Sequence, residues 1–183
     1  MFAILLLVYF LITTPARAFE LDDLPYPNFS FSKTEASFES QRGLKVALKA
    51  ATVGVPINAL EVVVTYDPSV VQAKEIIIEK SFCRKDMFAT KEIDNRQGAV
   101  HIICGLPSPG FNGKGTIAEL VLSPISGQHF SLKFGNASKM LVNDGKGIEV
   151  LSLKIGGDFD ITSPRSFIVK SDIPQELILR PSF

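Results

Sequence analysis

The chain has 183 residues, of which 46% are hydrophobic and 21% are charged, and this length and composition suit one globular domain with a buried core. Its 19 basic and 19 acidic residues give a formal net charge of zero. A neutral chain without a run of lysines and arginines lacks the field that nucleic acids or anionic lipids require, so those partners are not expected.

The first 18 residues have the pattern of a secretory signal peptide. An apolar run from Phe2 to Thr14 precedes Ala16-Arg17-Ala18, which is a small-x-small cleavage site. Because no basic residue precedes the run, a retained N-terminal anchor is the alternative, but the run is shorter than the ~20 apolar residues that span a membrane. We therefore expect residues 1–18 to be removed and the rest of the chain to be secreted or held at the cell surface.

The hydrophobic pattern beyond the leader predicts β-strands. Apolar and polar residues alternate in LKVALKA, ALEVVVTY and HFSLKF, which begin at Leu44, Ala59 and His129. Such alternation is typical of strands with one buried face, and the β-branched residues of VVQAKEIIIEK favour a strand there too. Turn residues recur every ~10–15 residues, so the fold class we predict is an all-β sandwich. The expected organisation is a signal peptide (1–18), an exposed lead-in (19–28), a β-sandwich (29–162) and an extended tail (163–183).

The chain contains two cysteines, Cys83 and Cys104. In a secreted protein they are candidates for one disulfide, which would add about 3 kcal/mol of stability in the chain-entropy model. Cys104 lies in an apolar run, so two separate thiols are the alternative. A zinc site is not expected, because His101 and His129 have no ligand spacing with the cysteines. We expect no cofactor.

Three motifs follow one another along the chain: TYDPSVV at 65–71, GKGTIAELVL at 113–122 and VNDGKG at 142–147. In this order and spacing they resemble the cohesin family, and the match extends over about residues 32–161. The resemblance is to single-domain, non-cellulosomal members. It implies a nine-stranded β-sandwich with jelly-roll topology, of the kind shared with cellulose-binding modules.

The same resemblance implies a role in protein recognition, because cohesins dock a partner module, the dockerin, on one flat sheet face. In cellulosomal cohesins the strand before the Tyr-Asp-Pro turn contributes an Asn and an acid to that face. Counted back from Tyr66, these positions fall on Ala59 and Glu61. The acid is therefore kept and the Asn is absent.

No segment of the sequence has the pattern of an active site. Asp67 precedes Pro68 and suits the first position of a type I turn, so we interpret it as a turn residue and not as a catalyst or metal ligand. The segment Asn143–Gly147 lacks the alternating acids and the closing Glu of a calcium loop, and it predicts a hairpin turn. Nucleophile and zinc-protease motifs are missing as well. We expect a non-catalytic protein.

The predicted binding face lies on the outward side of two neighbouring strands. It comprises Glu61, Val63, Thr65, His101 and Ile103. Phe111, in a Gly- and Pro-rich loop, is a further candidate anchor, and the alternative is that it folds back over a sheet edge. The partner we expect is a protein, such as a dockerin-like module.

Two other functions stay open at this point. A carbohydrate-binding module is the first alternative, but the chain has no Trp, and only Tyr26 and Tyr66 lie outside the leader, so an aromatic platform is hard to assemble. A structural subunit of the cell surface is the second.

Overall fold

The computed structural model describes residues 24–35, 43–126 and 129–160, and these residues form eleven strands and one three-residue 3-10 turn. The predicted signal peptide (1–18) and tail (163–183) lie outside the described residues, as do residues 19–23 of the predicted lead-in. The strands are β1 (Asn28–Glu35), β2 (Leu44–Ala51), β3 (Ile57–Thr65), β4 (Val71–Ile77), β5 (Phe88–Asp94), β6 (Ala99–Gly105), β7 (Lys114–Pro124), β8 (His129–Phe134), β9 (Lys139–Val142), β10 (Leu153–Lys154) and β11 (Gly157–Asp160).

The strands form two sheets. The first has the order β10-β1-β2-β7-β4, and the second has the order β11-β8-β3-β6-β5, with β9 pairing β3 beside β8. β8 pairs with Val64 and Thr65, and β9 pairs with the earlier part of β3, from Ile57 to Glu61. If β8 and β9 are counted as one interrupted strand and the two-residue β10 is left out, nine strands remain. The predicted all-β, nine-stranded sandwich is confirmed.

Alternate side chains of each strand fill the space between the sheets. On β3, Leu60, Val62 and Val64 are at most 1% exposed, and they belong to one core cluster with inward residues of the first sheet. Burying a side chain of this size contributes about 1.5–3 kcal/mol before the entropy cost of ordering the chain is subtracted. On β2, β3 and β8 the following residues, predicted to point inward, are buried: Leu44, Val46, Leu48, Leu60, Val62, Val64, Phe130 and Leu132.

β3 ends at the corner Tyr66-Asp67-Pro68. Oδ1 of Asp67 accepts hydrogen bonds from the N–H of Ser69 at 2.9 Å and from its hydroxyl at 2.6 Å. These bonds, the hydroxyl first, lower the pKa of Asp67. The Asp67 carbonyl accepts the N–H of Val70 at 3.1 Å, and Pro68 has no N–H with which to continue a ladder. Asp67 is a turn residue, as predicted.

Asn95, in the turn between β5 and β6, joins this corner to the first sheet. Its amide oxygen accepts hydrogen bonds from the Tyr66 hydroxyl at 2.7 Å and from the N–H of Ala73 at 3.0 Å. Its amide nitrogen donates to the carbonyl of Ala73 at 2.9 Å. Tyr66 follows β3 and Ala73 lies in β4, so one side chain ties the two sheets together. Burial raises the pKa of the Tyr66 hydroxyl.

Candidate functional site: the outer face of the second sheet

The register of β3 and β6 brings together five of the six residues of the predicted binding face. Glu61 lies opposite Ile103, and Val63 lies opposite His101. Thr65 lies two residues beyond Val63 on the same face of β3. All five side chains are half-buried on the side away from the core. Residues opposite each other in an antiparallel pair share a face, so these five form one continuous patch.

Two flanking strands widen this patch. On one flank β5 pairs with β6, and on the other β8 and β9 pair with β3. The added outward residues are Thr90, Glu92 and Asp94 on β5, Lys133 on β8 and Lys139 on β9. We call the outward side chains of β5, β6, β3, β8 and β9 the outer face. The flanking residues were not predicted, because the pairing of distant strands leaves no signal in a single sequence.

An ion cluster lies at the centre of the outer face. Oε2 of Glu61 is 2.9 Å from Nζ of Lys139, and Oε1 of Glu61 is 2.9 Å from Nε2 of His101. The Glu61 side chain is 19% exposed, whereas that of Lys139 is 43% exposed. One carboxylate therefore links β9, β3 and β6.

The cluster shifts the pKa values of its two oppositely charged members apart. The hydrogen bond from Lys139 is the main cause of the lowered pKa of Glu61. Partial burial opposes this shift, and the contact with His101 adds to it. Glu61 in turn raises the pKa of Lys139. Both groups are ionised at neutral pH, so the acid of the predicted face is largely neutralised within the domain.

The outer face is interrupted where β8 ends and β9 begins. The N–H of Gly135 donates to the carbonyl of Val63 at 2.7 Å, and the buried Ser138 hydroxyl accepts the N–H of Val63 at 2.9 Å. A Cβ on Gly135 would lie 3.0 Å from a methyl carbon of Val63, so a larger side chain would need Val63 to move. The chain can leave and rejoin β3 here because Gly135 allows the close approach.

Phe111 does not belong to the outer face, and this part of the prediction is wrong. Its N–H donates to the carbonyl of Ile57, and its carbonyl accepts the N–H of Ile57, both at 2.9 Å. Because Ile57 is fully buried, Phe111 opposite it also points inward, where its ring stacks on Phe82 at 3.8 Å between centroids. Phe111 closes the end of the core, which was the alternative interpretation.

Cys83 and Cys104 form a disulfide in the structure. Both residues are buried, and the bond fixes the segment before β5 to the inner side of β6. The alternative of two separate thiols does not apply. The two cysteines are separated by 21 residues in sequence, for which the chain-entropy model gives about 3 kcal/mol.

The described residues contain no other arrangement with an obvious chemical role. No group of three or more His, Cys, Asp or Glu residues among them could hold a metal ion. Ser131 donates to Asp158 at 2.6 Å, and His129 lies 3.8 Å from the same carboxylate. The acid therefore separates the two, and the histidine is not placed to activate the serine. Across the described ranges, no helix has the length and apolar character needed to cross a membrane.

Comparison with solved structures identifies the fold. A cohesin module from a Clostridium perfringens family 33 glycoside hydrolase matches with a TM-score of 0.56 and 15% identity, over 75% of this chain and 97% of that one. A non-cellulosomal cohesin from the archaeon Archaeoglobus fulgidus matches with a TM-score of 0.52 and 12% identity, over 76% and 92% of the two chains. The chain has a cohesin-like fold.

A third similar structure, the third cohesin of ScaC from Acetivibrio cellulolyticus, was solved in complex with the ScaB dockerin. It matches the cohesin-like domain with a TM-score of 0.55 and 13% identity, over 75% of this chain and 99% of that one. No family model matches the chain, and the search of curated proteins gives no match. The predicted resemblance is thus confirmed for the fold.

The cohesin-like domain differs from the cellulosomal pattern at Ala59. This residue lies on the outer face, opposite Gly105 on β6 and Leu141 on β9. A small side chain between a glycine and an aliphatic residue offers no hydrogen bond to a partner. Polar groups near this position come instead from the cluster of Glu61, Lys139 and His101.

Proposed function

We propose that this cohesin-like domain is a secreted, non-catalytic module that binds another protein, such as a dockerin-like module, on its outer face. Cohesin modules with which the chain shares its fold have been solved in complex with dockerins. The fold by itself leaves the binding surface open. The composition of the outer face provides the second line of support.

The observation that carries the proposal is the mixture of apolar and restrained polar groups at the centre of the outer face. Val63 and Ile103 are half-buried apolar side chains on neighbouring strands. Glu61 beside them is held by two hydrogen bonds, so it loses little conformational freedom when a partner covers it. A flat patch that combines apolar side chains with hydrogen-bonded polar groups is suited to a protein interface.

Secretion is supported by the disulfide and by the signal-peptide pattern. Disulfides persist in oxidising compartments and are rare in the cytosol. The Cys83–Cys104 bond therefore agrees with export of the domain to the cell exterior. A partner that meets it there must itself be secreted or displayed at the surface.

The experiment compares partner capture by two matched double variants. The bait is the chain from residue 19 onward, which keeps every described residue. Glu61→Arg with Val63→Asp changes the outer face, whereas Glu75→Arg with Ser123→Asp changes the exposed side of the first sheet and serves as the control. Proteins secreted by the source organism are captured on the bait and identified by mass spectrometry. The purified partner is then titrated by calorimetry against the wild type and against each double variant.

We expect the outer-face variant to bind at least about tenfold more weakly, because central interface residues dominate affinity, and the control to bind like the wild type. Circular dichroism confirms that both variants fold. Equal affinity of the two variants would contradict the outer face as the binding surface. Failure of the wild type to capture any secreted protein would contradict the proposed function.

A further inference from the structure

Within the outer face, the acidic and basic side chains of the flanking strands lie on opposite sides, and beyond β8 one acid, Asp158 of β11, is hydrogen-bonded to Ser131. Glu92 and Asp94 extend from β5, whereas Lys133 and Lys139 extend from β8 and β9. Strands β6 and β3 separate the two flanks. Glu92 and Lys133 form no ion pair with any described residue, so their charges are available to a molecule that covers the face.

The basic flank contains a notch between its two lysines. Lys133 lies at the level of Thr65, and Lys139 lies at the level of Glu61. At the level of Val63, between them, the chain presents Gly135, which has no side chain. We call this gap, bounded by Lys133 and Lys139 and floored by Gly135, the lysine notch.

A third lysine adds positive charge beside the lysine notch. Nζ of Lys154 donates to the carbonyl of Gly135 at 3.3 Å and to the carbonyl of Asn136 at 3.0 Å. Glu61 compensates the charge of Lys139, and Glu149 acts weakly on the same lysine, so Lys133 and Lys154 supply the charge that stays uncompensated. The notch is therefore suited to a carboxylate that approaches from outside.

Glu92 lies at the matching level on the opposite flank. It pairs with His101, and His101 pairs with Val63, whose carbonyl binds Gly135. Consider a two-fold axis that runs parallel to the strands and passes between β3 and β6. Such an axis places β5 of one copy over β8 and β9 of the other and keeps each residue at its own level. A two-fold axis across the strands would instead set the acidic flank against itself.

We propose that the outer face binds a second copy of this chain in a two-fold dimer, in which Glu92 of each copy enters the lysine notch of the other. Val63 of each copy then faces His101 of the other near the axis, and Asp94 faces Lys133. The attractive contacts are made twice, as in every interface built on a two-fold axis. The dimer occupies the surface that the proposed protein partner also needs, so the two compete.

The outer face is small for a protein interface. Its five strands form four rows, because β8 and β9 share one row beside β3, and rows about 4.8 Å apart and about five residues long give a flat patch of about 330 Å². This area is smaller than the ~800 Å² per partner of a standard interface. The dimer is accordingly weak and depends on charge, and added salt opposes it because exposed charges are screened.

The first measurement is the mass of the chain in solution. Sedimentation equilibrium of the chain from residue 19 onward is recorded from micromolar to millimolar concentration, in low salt and in roughly 0.5 M salt, where screening is strong. We expect a reversible monomer–dimer equilibrium in low salt that shifts toward the monomer in high salt. A chain that stays monomeric at millimolar concentration in low salt overturns the dimer and leaves the proposed function untouched.

The second measurement is a charge swap. Glu92→Lys and Lys133→Glu each place like charges together twice per dimer, so each variant alone is expected to dimerise at least about tenfold more weakly than the wild type. We expect an equimolar mixture of the two variants to restore association. In the mixed dimer the lysine introduced by the first variant meets the glutamate introduced by the second. At the other contact, Glu92 of the second variant meets the intact lysine notch of the first. Glu79→Lys and Lys74→Glu, exposed residues away from the outer face, are the matched controls.

Restoration by mixing, with controls that behave like the wild type, supports the dimer. Dimerisation that neither Glu92→Lys nor Lys133→Glu weakens overturns it, and so does a mixture that associates no better than its components. Thermal unfolding followed by circular dichroism verifies that each variant is folded.

Discussion

Glu61 links three strands through a single carboxylate. Lys139 on β9 and His101 on β6 each contact one of its oxygens at 2.9 Å. A partner that approaches the outer face therefore meets a compensated ion cluster and not a free acid. The sequence resemblance implied that Glu61 is the acid of a docking face. In the structure this acid is already paired within the domain.

The pH dependence of stability reports on this cluster. The folded-state pKa of Glu61 lies below its ordinary value of 4.5. The stabilisation is therefore complete above the unfolded-state pKa and is lost as the pH falls through the folded-state pKa. For Lys139 the pKa is raised above 10.5, so its share is complete below that value and is lost as the pH rises through the folded-state pKa.

Glu61→Gln should accordingly lower the free energy of unfolding by less than about 1 kcal/mol at neutral pH, since pairs with an exposed lysine contribute no more than that. The difference from the wild type should shrink as the pH falls below the ordinary Glu pKa of 4.5, because the lowered pKa of Glu61 makes its stabilisation disappear there. Urea denaturation at each pH measures it. Profiles that run parallel from pH 3 to pH 7 would show that the cluster does not stabilise the fold.

At the scale of elements, the period-two pattern predicted the strands because a half-buried strand must alternate. The inward sets of β2, β3 and β8 followed from it, whereas the end of β3 followed from the turn preferences of Asp67 and Pro68. The pattern does not specify which strands pair. Lys139 was missed for that reason, since its contact with Glu61 depends on β9 replacing β8 beside β3 at Gly135.

The orientation of Phe111 also depends on the pairing of distant segments. A loop rich in Gly and Pro left two alternatives open, an exposed anchor or a ring folded back over a sheet edge, and pairing with the buried Ile57 turns the ring inward onto Phe82. Gly115 makes room for this stack, because a Cβ there would lie 2.7 Å from one ring and 3.1 Å from the other. Long-range pairing decided the orientation, and local composition could not.

Asn95 is the element-level connection that we expect to be most sensitive to substitution. Asn95→Ala removes three hydrogen bonds and leaves the Tyr66 hydroxyl and both backbone groups of Ala73 without this partner. Leaving buried polar groups unsatisfied costs about 1–3 kcal/mol each, with partial relief from water, so we expect a loss of about 2–3 kcal/mol in unfolding free energy. Tyr66→Phe, which removes one bond, should cost about 1 kcal/mol. Equal effects of the two variants in urea denaturation would contradict the bridging role.

At the scale of the whole molecule, the placement of the aromatic side chains bears on whether the domain could bind polysaccharide. Polysaccharide binding by related sandwich folds uses planar rings that stack on sugars. Among the described residues the aromatic side chains are directed into the core or half-buried against it, as in the stacked pairs Phe29–Phe134 and Phe130–Phe159. Tyr26, with 56% of its surface exposed, is the exception within the described ranges.

We therefore expect the chain to stay unbound when it is mixed with insoluble cellulose or chitin, because one isolated ring supplies only a fraction of the stacking area that such a surface needs. The measurement is depletion of the chain from the supernatant at increasing amounts of polysaccharide, with a known carbohydrate-binding module as the positive control. Tyr26→Ala tests the single exposed ring. If the polysaccharide retains the wild type saturably and does not retain the Tyr26→Ala variant, a sugar site lies at the N-terminal edge of the sandwich. If the polysaccharide retains both the wild type and the variant, recognition uses aliphatic and polar surface instead. Either result would restore carbohydrate binding as a function of this fold and would displace protein recognition as the leading assignment.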